Sequence, residues 1–202
     1  MNILHITKQI VAISTLLSVA VISTNLQADD WTFHVSGTTT NKSTDTDGWM
    51  SQAVDNKILT QEGNLGVIFD MKPPSWPVAI AIDVFITGDT HKGANYKEDA
   101  FTVEQHIGVR KYWQSDFKNL QAYVGGGIAL TSSEFDSTID SVNTTVDDSD
   151  VGYWVGIGTN WNFTKHWYVG FDLRYSTSEL ELFNQKRDND GLMSGLTIGY
   201  TW

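Results

Sequence analysis

The sequence predicts an all-β protein: an eight-stranded antiparallel up-and-down transmembrane barrel with short turns at one end and longer loops at the other. Three observations predict it. Large apolar residues recur at every second position in eight separate segments, the pattern of a strand with one apolar face. Six of the eight tryptophans fall at the same ends of those segments. The last segment, Gly191-Leu-Met-Ser-Gly-Leu-Thr-Ile-Gly-Tyr-Thr-Trp202, keeps the alternation and stops on an aromatic residue. An exposed apolar strand ending in a free carboxylate aggregates in water but suits a strand that faces lipid.

The N-terminus agrees with export. Lys8 precedes the run Ile10 to Ile22, and Asn25-Leu-Gln-Ala28 ends in a small residue before Asp29 and Asp30. This is the form of a cleaved signal peptide over 1–28, leaving a barrel domain over 29–202. The thirteen-residue run is shorter than the roughly 20 residues a spanning helix needs. Beyond it no stretch holds 18 continuous apolar residues, so a closed barrel is the spanning option that remains.

The strands follow in order. The first runs from Trp31, Phe33 and Val35 onward, and the second sets Leu65, Val67, Phe69 and Met71 against Gly66, Ile68 and Asp70. In the third, Val78, Ile80, Ile82, Val84 and Ile86 alternate with Ala79, Ala81, Asp83, Phe85 and Thr87. The fourth opposes Phe101, Val103, Ile107 and Val109 to Thr102, Glu104, His106, Gly108 and Arg110, with Gln105 interrupting the apolar face. The fifth carries Leu120, Ala122, Val124, Ile128 and Leu130, the sixth Val151, Tyr153, Val155, Ile157, Trp161 and Phe163, and the seventh Trp167, Val169, Phe171, Leu173 and Tyr175. The C-terminal segment is the eighth, predicted to close the barrel against the first.

Connections alternate in length. Segments 72–77, 113–119 and 164–166 are short, whereas 43–60, 88–100, 132–150 and 178–190 are long and polar. Tight periplasmic turns and longer outer loops give that rhythm, and an even strand count returns the chain to its starting side. Trp31, Trp76, Trp113, Trp161, Trp167 and Trp202 sit at the short-turn ends and form a predicted aromatic girdle. A soluble exported barrel is the competing reading. It would turn the same apolar face inward and would give no reason for tryptophans to gather at one end.

Inward positions decide what the lumen does. Asp70, Asp83, Glu104, His106, Arg110, Asp172 and Arg174 project inward by parity and are predicted to form a lumen ionic network. Eight strands enclose a space that side chains can fill, so a plug is favoured over a charge-lined pore. Inward glycines, among them Gly66, Gly125, Gly158 and Gly199, are expected to make room for Tyr123, Trp154 and Tyr168.

The segments Ala122-Tyr-Val-Gly-Gly-Gly-Ile-Ala129, Gly152-Tyr-Trp-Val-Gly-Ile-Gly158, Trp161-Asn-Phe-Thr-Lys-His-Trp167, Asp172-Leu-Arg-Tyr-Ser176 and 195–202 resemble the small outer-membrane β-barrel proteins, the opacity-type and outer-membrane protein A membrane-domain family. The resemblance implies the outer membrane of a double-membraned bacterium and lipopolysaccharide as a neighbour. It also implies that the terminal aromatic, here Trp202, is read by the barrel-assembly machinery. These motifs are patterns of glycine and aromatics, not catalytic signatures.

Other functions lack support in the residues. A net charge of −11, becoming −12 once Lys8 is removed, excludes nucleic acid as a natural partner. The chain has no cysteine and no recognised cofactor or metal motif. Ser43-Thr-Asp-Thr-Asp-Gly48 looks like part of a calcium loop, but alignment on Gly48 puts Val54 where a bidentate glutamate belongs. Acidic residues Glu134, Asp136, Asp140, Asp147, Asp148 and Asp150 fall in a predicted loop without the fixed ligand spacing of a divalent-cation site. His91 and His106 have no nucleophile motif around them, which disfavours a lipid A-modifying enzyme. Trp49-Met50 and Ile58-Leu59 are apolar and suit a cover for the barrel mouth or a partner contact. The expected role is therefore a non-enzymatic structural or surface-interaction protein, with a small porin-like channel as the alternative.

Overall fold

Eight strands hydrogen-bond in a closed antiparallel ring, and their alternation places charged side chains inside and apolar ones outside. The computed structural model describes residues 32–44, 62–92, 96–117, 119–139, 142–182, 185–188 and 190–202. The predicted signal segment 1–28, Trp31, the calcium-loop-like run, Trp49-Met50 and Ile58-Leu59 lie outside the described residues.

The strands are β1 (Thr32–Thr44), β2 (Glu62–Lys72), β3 (Ala79–Lys92), β4 (Tyr96–Gln114), β5 (Leu120–Ile139), β6 (Val142–Asn162), β7 (Trp167–Ser176), β8 (Glu179–Leu182), β9 (Gln185–Asp188) and β10 (Gly191–Thr201). The barrel order is β1-β10-β7-β6-β5-β4-β3-β2, with β8 and β9 forming a separate hairpin. β10 closes the ring against β1, and Phe33 and Trp202 exchange backbone hydrogen bonds of 3.2 Å each. Thus the aromatic terminus is the closing seam. Phe33, although outward by parity, is buried between Phe69 and Trp202 at ring separations of 6.3 and 6.0 Å.

The register fixes the barrel's dimensions. Followed around the ring, the row starting at Val151 passes through Leu130, Gln105, Val84, Val67, Gly37, Ile198 and Val169 and returns to β6 at Trp161, ten residues further along. With about 3.3 Å per residue and about 4.8 Å between strands, that stagger tilts the strands by about 41° and sets a backbone radius of about 8 Å. The interior is therefore narrow enough for side chains to fill. The outward run from Val151 to Trp161 then spans about 25 Å along the barrel axis, the height of a lipid-facing apolar band.

Exposure confirms which face meets lipid. Ile157 is 55% exposed and Leu196 69%, whereas Asp83 and His106 inside are both 0% exposed. This inversion belongs to a barrel whose surroundings are apolar and rules out the soluble alternative. An arginine replacing Ile157, near the middle of the band, is expected to cost about 2–4 kcal/mol of folding free energy, read by urea titration in lipid vesicles. The same change at Ser149, above the band, should cost little.

Two expectations need correction. Segments 88–100 and 132–150 are not loops: β3 and β4 stay paired to Lys92 and Lys97, and β5 and β6 to Ile139 and Val142. Their threonines, serines, valine, isoleucine and phenylalanine keep strand propensity where no lipid imposes apolar alternation, and neither glycine nor proline interrupts 131–151. The last long segment, 178–190, contains the β8–β9 hairpin. β2 pairs with β3 only as far as Thr87, and β7 pairs with β6 only as far as Trp154. Beyond those points β3 to β6 continue as a four-stranded sheet rising above the band on one side of the barrel.

Candidate functional site

The site with the densest chemistry is the lumen. All seven predicted residues face inward, and each is buried. Arg110 and Arg174 hold the centre. Arg110 donates from Nη1 to Asp70 Oδ1 at 2.5 Å and from Nη2 to Asp83 Oδ2 at 2.7 Å. Arg174 donates from Nη1 to the same Asp83 oxygen at 2.5 Å and from Nη2 to Asp172 Oδ2 at 3.3 Å. Asp83 is therefore shared by both guanidinium groups.

The chain of contacts continues toward both ends. At the long-loop end, Arg174 Nη1 lies 3.0 Å from His106 Nδ1, and His106 Nε2 lies 3.2 Å from Glu104 Oε2. Arginine can only donate, so Nδ1 accepts and the ring proton sits on Nε2, directed at Glu104. Ser176 Oγ donates to the same Glu104 oxygen at 3.2 Å. Toward the short-turn end, the Tyr112 hydroxyl donates to Asp70 and the Tyr123 hydroxyl to Asp172. His34 stacks on Tyr112 at 5.1 Å and meets Thr201 Oγ1 through Nδ1 at 2.9 Å.

Aromatic faces enclose the guanidinium groups. Trp154, 1% exposed, stacks on His106 at 5.6 Å with planes 8° apart. Its ring also lies 4.8 Å from the Arg174 Cζ and 5.6 Å from the Arg110 Cζ. Phe85 covers the other flank of Arg174 at 4.8 Å, and Tyr123 lies 5.1 Å from Arg110. Glycines make room for these rings: a Cβ on Gly125 would come within 2.9 Å of Trp154, and one on Gly66 within 2.6 Å of Phe85. Added carbons at Gly158 and Gly199 would collide with Tyr123 and Tyr168.

Sequence reasoning missed Tyr112, His34 and the pairing of Ser176 with Glu104. Parity alone could have placed Tyr112, because it continues the even-numbered inward face of β4. The partners of each charge were not legible in the same way, since they depend on the height that the ten-residue stagger sets.

Five predicted girdle tryptophans, Trp76, Trp113, Trp161, Trp167 and Trp202, are 37–52% exposed at the short-turn end. Trp202, Tyr200 and Trp167 form a continuous aromatic cluster, with centroids 5.6 and 5.2 Å apart. Trp31 is outside the described residues, as is the side chain of His91. Among the described residues, no three His, Asp or Glu side chains come together as a metal-binding group.

Comparison with known proteins places this architecture. A family model described as "Outer membrane protein beta-barrel domain" matches residues 13–202. No curated protein sequence matches the chain. Among solved structures, Ail, the attachment invasion locus protein of Yersinia pestis, in complex with the heparin analogue sucrose octasulfate, aligns with a TM-score of 0.58 at 12% identity, covering 86% of this chain and 99% of Ail. The outer membrane protein OprG from Pseudomonas aeruginosa aligns at 0.55 with 14% identity, covering 86% of this chain and 96% of OprG. A major outer membrane protein from Thermus thermophilus gives 0.55 at 11% identity over 85% and 99% of the two chains. At such identities the likeness is one of fold. The chain belongs to the outer membrane protein β-barrel domain family and resides in the outer membrane of a double-membraned bacterium.

Proposed function

We propose that this protein is a non-enzymatic surface-interaction barrel whose lumen is a structural plug and whose outer sheet meets a partner. One observation carries the reading: β3 to β6 rise past the lipid band as a sheet with acidic rows on its outward face. The register sets Asp99 directly opposite Asp136, and Glu134 directly opposite Asp147. Facing carboxylates destabilise a sheet, so folding alone gives no reason for them. Lys97 contacts Asp99, Thr145 Oγ1 donates to Asp136 at 2.5 Å, and four carboxylates share this face with Lys97. A cationic partner complements it. Ail was solved with a polyanionic heparin analogue, and the acidic rows argue against that ligand class here.

The lumen supports the non-enzymatic reading. Both nitrogens of His106 are engaged and its ring is fully buried, which leaves no free general base there. Lipopolysaccharide surrounds the outer band in this view, and the aromatic closing strand serves as the signal for the barrel-assembly machinery. Protein in lipid nanodiscs should bind an immobilised lysine-rich peptide in a salt-sensitive manner and should not bind heparin. Glu134→Gln together with Asp147→Asn should weaken peptide binding by roughly fivefold. Preferential heparin binding, or unchanged peptide binding by the double variant, would overturn the proposal.

A further inference from the structure

Lys111 breaks the rule of the lipid-facing surface. Among the described residues that point outward between the tryptophan girdle and Val151, it is the one charged side chain. It lies on β4 two residues from Trp113, so its Cα sits about 5 Å along the barrel axis from the Trp113 level. Its ammonium is 5.9 Å from the Trp113 ring centroid, which directs it toward the girdle and the periplasmic interface. Long cationic side chains near a membrane boundary reach for the interface in this way. Among the described residues no carboxylate pairs with Lys111.

The neighbouring surface is shaped for a lipid. The register puts Lys111 beside Val124 and Ile157, Trp113 beside Ala122 and Thr159, and Val109 beside Gly126 and Val155. On β5 the small residues Ala122 and Gly126 flank the half-exposed Val124, leaving a shallow apolar depression on each side of it. β4 walls these depressions with Val109 and Trp113, and β6 with Val155 and Ile157, all about half exposed. The depression at Ala122 lies between Val124 and the girdle, on the side toward which the Lys111 ammonium turns.

We propose that Lys111 and Trp113 form a headgroup site for an anionic phospholipid of the periplasmic leaflet. The phosphate meets the Lys111 ammonium, the indole lies at headgroup depth, and an acyl chain packs on the apolar outward surface of β4 to β6. A lysine near an anionic membrane surface is attractive enough to favour such a lipid severalfold. The site is independent of the outer sheet and of the lumen.

Native mass spectrometry of the full barrel, titrated with phosphatidylglycerol or phosphatidylcholine of identical acyl chains, tests it. The first phosphatidylglycerol should bind about fivefold more tightly than the first phosphatidylcholine. Lys111→Gln should erase the preference and Lys111→Arg should keep it. Lys165→Gln, which removes an exposed lysine from the 163–166 turn, should also leave it in place. Equal binding of the two lipids by the unmodified protein, or an unchanged preference in Lys111→Gln, would overturn the proposal. The first comparison needs no variant and stands whether or not the variants fold.

Discussion

Arg174→Ala is expected to destabilise the barrel by about 3–5 kcal/mol, because removing one partner from a buried ion pair leaves its counter-charges without compensation. Arg174 is the junction between two halves of the lumen: it joins Asp83 and Asp172 on one side and His106 on the other. With the guanidinium gone, Asp172 keeps only Tyr123, and His106 Nδ1 loses its donor. Arg174→Lys should recover part of the loss, since a point charge can reach Asp83 but cannot bridge two acceptors or lie flat against Phe85 and Trp154. Reversible urea unfolding in lipid vesicles, followed by tryptophan fluorescence, reads both values. A loss below about 1 kcal/mol for Arg174→Ala would mean the network contributes little to folding.

Trp154→Ala is expected to be comparably severe, at about 3–5 kcal/mol, and to change the lumen's permeability as well. The indole is the shared wall of the network, in contact with His106, Arg110 and Arg174. Gly125 leaves space for the large ring and offers no side chain to replace it. Water entering the vacated volume would hydrate both arginines and weaken their hold on the aspartates. Small unitary currents should therefore appear in planar bilayers for Trp154→Ala. If the variant lost stability but stayed electrically silent, the ion pairs alone would be enough to close the lumen.

How much was legible in the sequence depends on what each feature rests on. Side-chain direction in a strand has period two, so the inward placement of Asp83, His106 and Arg174 could be read from parity alone. Pairing could not. Arg110 reaches Asp70 across Ala79 and Ala81, two side chains small enough to let a guanidinium pass, and only the stagger of β2, β3 and β4 brings those groups to one height. Strand length failed for another reason. Apolar alternation reports lipid on the outward face, and above the band that face of β5 and β6 carries hydroxyl and acidic residues, so the signal ends near Leu130 and Val151 while the backbone ladder continues to Ile139 and Val142. The girdle was legible because indoles prefer the interface whatever the fold's details. Lys111 was not, since one lysine beyond an alternating segment becomes meaningful only once every other outward neighbour is known to be uncharged.

The acidic outer sheet and the closed lumen make separate demands on the same chain. The lumen requires every charge to have a partner at the right height, whereas the sheet above it places carboxylates opposite carboxylates. Stability explains the first arrangement, and the proposed partner contact accounts for the second. Conductance of the unmodified protein in planar lipid bilayers tests the closed lumen most directly. Arg110, Arg174 and Trp154 fill the passage, so the membrane should stay electrically silent under applied voltage. Stable unitary currents from the unmodified barrel would contradict the plug and make the inward charges the lining of a pore.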